Sequence, residues 1–265
     1  MNPQAVLAAF DEQVRRTRLL GEPGIRTDQL DDLTRHVALE HDGWSGVVWS
    51  RLDERSADAS LADQVRYFAA LGRKFEWKLY DHDLPADLPR RLLAAGFVAE
   101  PEEALMVAEI TDLALDMSPP PGIRLIPVTD EAGVEQVVRV HDEVFGSDHA
   151  WLRHALRAQI AETPPPVAAV LAMDGEQPVC SARVELPAHG DFAGMYGGGT
   201  LPAYRGRGIY RAMVARRAQI ARERGFRYVY VDARPESRAI LERLGFVKLA
   251  ITTPYVREPA RNQAQ

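Results

Sequence analysis

The segment at residues 116–122, Asp-Met-Ser-Pro-Pro-Pro-Gly, restricts the fold of this chain more than any other stretch. Three consecutive prolines and a glycine cannot continue a helix or a central strand, and they favour an extended, semi-rigid spacer. In a chain of 265 residues, both remaining parts are long enough to bury a core. We therefore predict a domain at residues 1–115, a linker at 116–122 and a second domain at 123–265.

Both parts contain helical and strand patterns. Apolar residues at helical spacing predict helices at 4–20, 58–71, 85–95, 131–145, 151–160, 209–224 and 237–244. Apolar runs and alternations predict strands at 47–49, 75–80, 97–98, 104–110, 123–128, 167–173, 178–186, 195–201, 228–231 and 246–253. In helix 209–224 we expect buried apolar residues and outward-facing arginines. The succession predicts an α/β protein with a mixed sheet flanked by helices.

The two parts also resemble each other near their ends. A strand followed by a helix and a Gly-Phe pair occurs at 75–97 and again at 226–246. Two interpretations stay open, because a duplicated fold predicts this likeness and a C-capping glycine after a helix is common in any case. A duplicated N-terminal copy would lack the arginine-rich turn described below, and would serve as a scaffold, a lid or a wall of the acceptor site.

The composition argues against nucleic acid as a partner and against a disulfide-stabilised fold. With 32 basic and 38 acidic residues, the formal net charge is −6 and the pI is about 5.7, which disfavours nucleic acid as a partner. The single cysteine, Cys180, excludes an internal disulfide. The first residues do not form a signal-peptide pattern, and no apolar run reaches the length of a membrane span, so we expect a cytoplasmic protein without membrane contacts.

The sequence Arg205-Gly206-Arg207-Gly208 lies between a predicted strand and a predicted helix. Glycines allow a turn whose successive N–H groups point into one concavity, and the following helix adds its positive N-terminal end. Arg205, Arg207 and Arg211 can add charge-assisted hydrogen bonds to phosphate. This context favours a pyrophosphate site over the alternative, a glycine turn with solvated arginines.

Three glycines, at 197–199, interrupt the strand before this turn. Glycines inside a strand indicate a bulge or the close approach of another group, and the alternative is a flexible loop.

Residues 200–211 and 242–246 resemble the GNAT superfamily of N-acetyltransferases, and the likeness in element order extends from 123 to about 255. The family pattern Arg/Gln-x-x-Gly-x-Gly/Ala matches at its first five positions, and Tyr210 takes the place of the sixth, small residue. The resemblance implies a mostly antiparallel sheet, two tandem GNAT-like modules of which the N-terminal one is degenerate, and acetyl-CoA as co-substrate. It also implies which backbone segments bind acetyl-CoA. These are Gly206, Arg207, Gly208, Ile209, Tyr210 and Arg211 for the pyrophosphate, and Gly198, Gly199 and Thr200 for the pantetheine arm.

The resemblance implies direct acetyl transfer to an amine within a ternary complex, which requires a base, an oriented thioester, a stabilised oxyanion and protonation of the leaving thiolate. Glu185 and Asp148 are the candidate bases, and the N–H groups of Gly199 or Thr200 are candidates for polarising the carbonyl. Many family members use a tyrosine acid on the last helix, where this chain has Leu241. Tyr255 is then a candidate acid, with Tyr210 and Tyr196 as alternatives.

Two further site predictions are negative. Cys180 lies in a strand pattern without an evident activating partner, which favours a buried thiol over a nucleophile. His149 and His154 are five residues apart, which does not place both on one helical face, so we expect no metal site.

Three functional hypotheses follow. The first is an enzyme that moves an acetyl group from acetyl-CoA to an amine, which is a small metabolite, an antibiotic, a peptide terminus or a protein lysine. The second is an acyl-CoA-binding sensor without catalysis, favoured by Leu241 and Tyr210. The third, an RNA-associated protein using the loop arginines, conflicts with the acidic charge. The exposed edge strands of such sheets often pair with another copy of the chain, so a homodimer is a further hypothesis.

Overall fold

The computed structural model describes residues 1–17, 24–40, 43–146 and 150–259. The chain divides into two compact units, and each is built from separate stretches of sequence. Unit 1 comprises Met1–Leu105, Asp232–Pro235 and Lys248–Gln265, and unit 2 comprises Met106–Val231 and Glu236–Val247. No helix in the described ranges is long and apolar enough to cross a membrane.

The helices and strands of the described residues are numbered in chain order. The helices are α1 Pro3–Phe10, α2 Ala57–Ala70, α3 Leu88–Ala94, α4 Glu131–Phe145, α5 Ala150–Ile160, α6 Ile209–Glu223 and α7 Pro235–Arg243. The strands are β1 Ile25–Gln29, β2 Leu33–Ala38, β3 Gly46–Ser50, β4 Phe75–Tyr80, β5 Val98–Ala99, β6 Glu103–Glu109, β7 Ile123–Pro127, β8 Val167–Asp174, β9 Gln177–Glu185, β10 Phe192–Thr200, β11 Tyr228–Ala233 and β12 Val247–Arg257.

In unit 1, β1, β2 and β3 are antiparallel neighbours, β4 runs parallel to β3, and β12 runs antiparallel to β4. Helix α2 connects the parallel pair β3 and β4. The core is mainly aromatic and aliphatic, and the rings of Phe68 and Phe75 stack at a centroid distance of 4.2 Å. Its other buried members are Leu33, Val37, Val47, Leu52, Ala57, Leu61, Trp77, Leu79, Leu88, Leu92, Phe97 and Tyr255.

In unit 2, the strand order is β6-β11-β10-β9-β8-β7. The pairs from β7 to β10 are antiparallel, and β10 and β11 are parallel and connected by α6. A strand, a helix and a parallel strand therefore occur in both units, as β3-α2-β4 and β10-α6-β11. The predicted sheet class, mixed and mostly antiparallel with flanking helices, is confirmed.

Helix α4 illustrates how local sequence sets an element of unit 2. Its first turn is capped by the Asp130 carboxylate, which accepts a hydrogen bond of 2.8 Å from the Gly133 N–H. It ends at Gly146, which adopts the left-handed conformation with φ 75°. Between these ends, Val134 and Val138 are buried and pack against strand β8 and helix α5. The cap, the glycine and the apolar stripe are all visible in sequence, and the predicted helix at 131–145 is confirmed.

Each unit completes its sheet with a strand from the other half of the sequence. Strand β12 lies in unit 1, where Tyr255 is opposite Trp77 of β4. The second half of β6 lies in unit 2 beside β11, and the Ile110 N–H just beyond it donates to the Arg227 carbonyl over 2.9 Å. The proline-rich segment at 116–122 lies within unit 2. The division into domains 1–115 and 123–265 stays a prediction.

Two strands were missed at the level of sequence, and the ends of two other elements were misplaced. Strands β1 and β2 were not predicted, because β1 has the polar sequence Ile-Arg-Thr-Asp-Gln without apolar alternation. The predicted helix at 4–20 is α-helical to Phe10 and continues as a π-helix at Asp11–Arg16, and residues 18–20 of the prediction lie outside the described residues. Strand β10 begins at Phe192, before the predicted start, since its first residues pair with β11.

Candidate functional site

Strand β10 separates from its parallel neighbour β11 after three residues. The pairing runs from Phe192 opposite Tyr228 to Gly194 opposite Tyr230 and then ends. On its other side, the register with β9 shifts between Tyr196 and Gly199. Gly197 sits in this irregular stretch with φ 58°, which few other residues adopt. The bulge expected from the glycine run is therefore present, next to a gap between two parallel strands.

The next two glycines allow close packing from both faces of the sheet. A Cβ at Gly199 would lie 2.7 Å from Val144 Cγ1 of α4. A Cβ at Gly198 would lie 3.3 Å from both Arg217 and Tyr210 of α6. Helices α4 and α6 thus contact opposite faces of β10 at its bulge, and backbone without side chains fills the space between them.

The turn after β10 leads into α6 without a side-chain cap. Arg205 Nε donates to the Thr200 carbonyl over 3.1 Å and ties the start of the turn to the end of the strand. Gly206 and Gly208 have φ values of 74° and 90°, and Gly208 is the N-cap residue of α6. The first N–H groups of a helix have no intrahelical acceptor, so those of α6 are available to an anion.

The side chains of the turn add positive charge. Arg205, Arg207 and Arg211 are exposed. The Arg207 guanidinium lies 4.8 Å from the ring centroid of Tyr204, whose hydroxyl donates to Asp174 Oδ2 over 3.1 Å. This hydrogen bond raises the pKa of Tyr204. Uncapped N–H groups beside exposed guanidinium groups fit a pyrophosphate.

Polar and aromatic residues gather on the α4 face of the bulge. The carboxylate of Glu185 lies 3.5 Å from Arg183 Nε, and its side chain is 26% exposed. The Arg183 guanidinium also lies 5.4 Å from the ring of Tyr196 and 6.0 Å from that of Trp151. The hydroxyls of Tyr196 and Tyr230 are 2.7 Å apart. A partly exposed carboxylate thus pairs with a guanidinium that itself lies near two aromatic rings.

Of the other two candidate catalytic residues, one lies in unit 1 and one lies outside the described residues. Tyr255 lies on β12 in unit 1, where it is 7% exposed in the hydrophobic core, and burial raises its pKa. Asp148 lies outside the described residues, as does His149. In the ranges that the structure describes, no group of three or more His, Cys, Asp or Glu side chains could hold a metal ion.

The prediction that the arginines of α6 face outward is wrong for Arg217. This residue is 2% exposed, and it lies one and two helical turns after the buried residues Met213 and Ile209. The spacing of four was the signal that could have identified it, because residues i and i+4 share a face. Arg217 Nη1 donates to the Arg183 carbonyl over 3.3 Å, opposite the bulge of β10.

Two buried residues of β9 complete the surroundings of the bulge. Cys180 is fully buried and accepts a hydrogen bond of 3.2 Å from the Thr200 hydroxyl, and burial raises the pKa of its thiol to about 11. A thiol of this kind is a poor nucleophile, in line with the expectation of a buried cysteine. Ser181, opposite Gly199, has a buried hydroxyl that bonds to no group among the described residues.

Comparisons with known proteins address the family and the fold. Residues 134–246 match the model of the Acetyltransferase (GNAT) family. None of the curated proteins that were compared matches the chain. Among solved structures, the chain is similar to a GCN5-related N-acetyltransferase from Kribbella flavida, with 20% identity, a TM-score of 0.67 and coverage of 99% of this chain and 96% of that chain.

Two further solved structures are similar over nearly the whole chain. One is a functionally unknown conserved protein from Staphylococcus epidermidis ATCC 12228, with 14% identity, a TM-score of 0.67 and coverage of 94% and 98%. The other is a tandem GNAT protein from the clavulanic acid biosynthesis pathway, with 13% identity, a TM-score of 0.64 and coverage of 91% and 85%. Residues 134–246 thus match the GNAT acetyltransferase family, the chain has a GNAT-like fold, and the resemblance found in the sequence is confirmed.

Proposed function

We propose that this protein is an N-acetyltransferase that moves an acetyl group from acetyl-CoA to an amine by direct transfer in a ternary complex. The observation that carries the proposal is the glycine turn, in which Gly206 and Gly208 have positive φ and lead into the uncapped helix α6, directly after a strand with a glycine bulge. The match of 134–246 to the acetyltransferase family supports the same reaction class.

The residues present fit acetyl-CoA, whose thioester supplies the activated acetyl group. The N–H groups from Gly206 to Arg211 would hold the pyrophosphate at the positive end of α6. The backbone of Gly198, Gly199 and Thr200 would lie along the pantetheine arm, because β10 has no pairing with β11 beyond Gly194.

The hydrogen-bond pattern of β10 favours Thr200 as the residue that polarises the thioester carbonyl. The Leu201 N–H donates to the Val179 carbonyl over 2.9 Å, so these two residues form a hydrogen-bonded pair of the antiparallel ladder. Such pairs recur every second residue, so Gly199 and Ser181 form the preceding hydrogen-bonded pair. Thr200 lies between Gly199 and Leu201 in β10, and N–H groups alternate in direction along a strand. The Thr200 N–H therefore points away from β9 and into the gap left by β11. An N–H in that gap is free to donate to a ligand oxygen.

Among the described residues, Glu185 is the proposed general base that deprotonates the amine. Its partly exposed carboxylate lies on the α4 face of the bulge, beside Arg183 and the tyrosine pair. There it could accept a proton from the amine directly or through water. Once an acceptor is known, we expect Glu185→Gln to lower kcat/KM by about 10²–10⁴-fold while acetyl-CoA affinity stays unchanged.

Calorimetric titration with acetyl-CoA tests the binding site first. The wild type should bind at one saturable site, and Arg205→Ala/Gly208→Glu should abolish binding. The matched control is Arg222→Ala/Gly225→Glu at the other end of α6, where Gly225 has φ 86° and open space around it. This control removes an equal charge and strains an equivalent glycine, so its binding should be that of the wild type. Absence of wild-type binding, or equal losses in both variants, would refute the proposed site.

A catalytically inactive acyl-CoA sensor is the second candidate function. It is favoured by Leu241 of α7, which is fully buried, and by Tyr255, which lies in the core of unit 1. Leu241 has no phenol, and the phenol of Tyr255 is buried. Release of coenzyme A thiol in a screen of amines would eliminate this alternative.

A further inference from the structure

Arg217 is a buried cation whose partners in the described residues are all uncharged groups. It is 2% exposed, and its Nε donates to the Met213 carbonyl over 3.1 Å. Its Nη1 donates to the Arg183 carbonyl over 3.3 Å, and Tyr210 provides a third hydrogen bond. No carboxylate of the described residues pairs with it. Buried charges in proteins are ordinarily paired, because an ion that is removed from water loses its hydration and needs a compensating charge.

The ionisable groups that face Arg217 do not supply a negative charge at neutral pH. Burial raises the pKa of the Cys180 thiol to about 11 and also raises the pKa of the Tyr210 phenol, although the guanidinium opposes both shifts. Arg183, which also faces Arg217, is itself a cation and pairs with Glu185. Burial lowers the pKa of Arg217, yet a guanidinium stays protonated in proteins. Its charge is therefore uncompensated.

The position of Arg217 indicates which anion could compensate it. Its guanidinium and the Tyr210 ring both pack against Gly198, on the backbone segment proposed above to lie along the pantetheine arm. That arm ends in the sulfur of coenzyme A. In the proposed reaction the amine nitrogen forms the new C–N bond, the C–S bond breaks and the sulfur keeps the electron pair, while the amine proton passes to Glu185. The sulfur thus gains a full negative charge beside α6.

We propose that Arg217, oriented by Tyr210, is the counter-ion for the thiolate of coenzyme A. This inference rests on the proposed function, and it differs from a purely structural role in which Arg217 only bonds the Arg183 carbonyl opposite the bulge. The two roles make different predictions for proton release. If Arg217 is only structural, the pKa of the coenzyme A thiol is the same in the complex as in water. If Arg217 is a counter-ion, it stabilises the ionised sulfur and lowers that pKa.

Proton release on binding free coenzyme A measures this effect without an acceptor amine. An alkyl thiol such as that of cysteine titrates near pH ~8.5, and a cation within ~4–6 Å lowers such a pKa by about one to three units. Calorimetry at neutral pH in buffers of different ionisation enthalpy should therefore show proton release by the wild type. The same titration with desulfo-coenzyme A, which lacks the sulfur, should show none. Ultraviolet absorbance of the bound thiolate gives an independent readout.

The variants separate the charge of Arg217 from its packing. Arg217→Met should still bind acetyl-CoA but lose the proton release and the thiolate absorbance, and Arg217→Lys should keep part of both. Arg216→Met is the matched control, because Arg216 is on the same helix with a side chain that is 39% exposed. Unchanged proton release in Arg217→Met would overturn the inference. So would a wild type that binds coenzyme A without releasing a proton, even if Arg217→Met does not fold. A wild type that binds neither ligand would instead refute the proposed function.

Discussion

Replacing Gly199 with alanine is expected to lower the free energy of unfolding of this protein by steric contact alone. The new Cβ would lie 2.7 Å from Val144 Cγ1 and 3.2 Å from the Phe145 ring. Carbon atoms prefer separations of about 3.5–4.0 Å, so the nearest contact is too short by about 1 Å. Gly199 does not have a positive φ, and alanine can adopt its backbone conformation.

The magnitude follows from the stiffness of the neighbouring side chain. Valine in a helix has one strongly preferred rotamer, so Val144 cannot turn its methyl group away and α4 itself must shift. Overpacking of this kind costs about 1–3 kcal/mol. The reduced entropy of the unfolded alanine chain offsets about 0.4–1 kcal/mol. We therefore expect a net loss of about 1–2 kcal/mol.

Urea unfolding of the single and double variants measures this contact. Val144→Ala removes the clashing methyl groups, so Gly199→Ala/Val144→Ala should be destabilised little more than Val144→Ala, with a coupling energy of about 1 kcal/mol or more. Gly198→Ala is a milder control, because its nearest neighbours, Arg217 and Tyr210, lie 3.3 Å away and need to shift by only a few tenths of an ångström. An unchanged urea midpoint in Gly199→Ala, or strict additivity in the double variant, would refute the reasoning.

Three further predictions concern buried and ionisable groups. Arg15→Met should cost about 3–5 kcal/mol in urea unfolding, because Asp83, whose side chain is 4% exposed and 2.7 Å from Arg15 Nη2, would lose its counter-ion. The pKa of His82 is raised above 6.5, chiefly by its hydrogen bond to Asp11, so its contribution to stability should be full below that pH and disappear as the pH rises through the folded pKa. Cys180, with a pKa of about 11 and no exposed surface, should react with iodoacetamide only after unfolding.

Matched measurements decide these predictions. Arg16→Met should cost no more than about 1 kcal/mol, because its side chain is 42% exposed and pairs with an exposed glutamate. A His82→Gln variant should lose the corresponding component of the change in Tm between about pH 5 and 8. An equal cost for both arginine variants, or identical pH profiles with and without His82, would contradict the respective prediction. Labelling of Cys180 in the folded protein would contradict the third.

Much of unit 2 was predictable because its elements are encoded locally. The cap at Asp130, the glycine at 146 and the valine stripe between them define α4 without reference to the rest of the chain. The arginine and glycine pattern at 205–208 likewise predicted a turn before a helix, and Gly206 and Gly208 adopt the positive φ that such a turn requires. Periodicity and backbone freedom are properties of single residues and their near neighbours, and they can be read from the sequence.

Long-range pairing and burial of charge were decided only in the tertiary structure. The sequence placed strand β12 and Tyr255 with the C-terminal half, whereas β12 pairs with β4 of unit 1 and Tyr255 enters the core there. Arg217 was predicted to face outward and is instead buried against Gly198. A strand pattern does not specify its partner, and a charged side chain at a helical position does not reveal what packs over it. Both depend on residues far apart in the chain, so the proposed counter-ion of the thiolate could be inferred only from the folded structure.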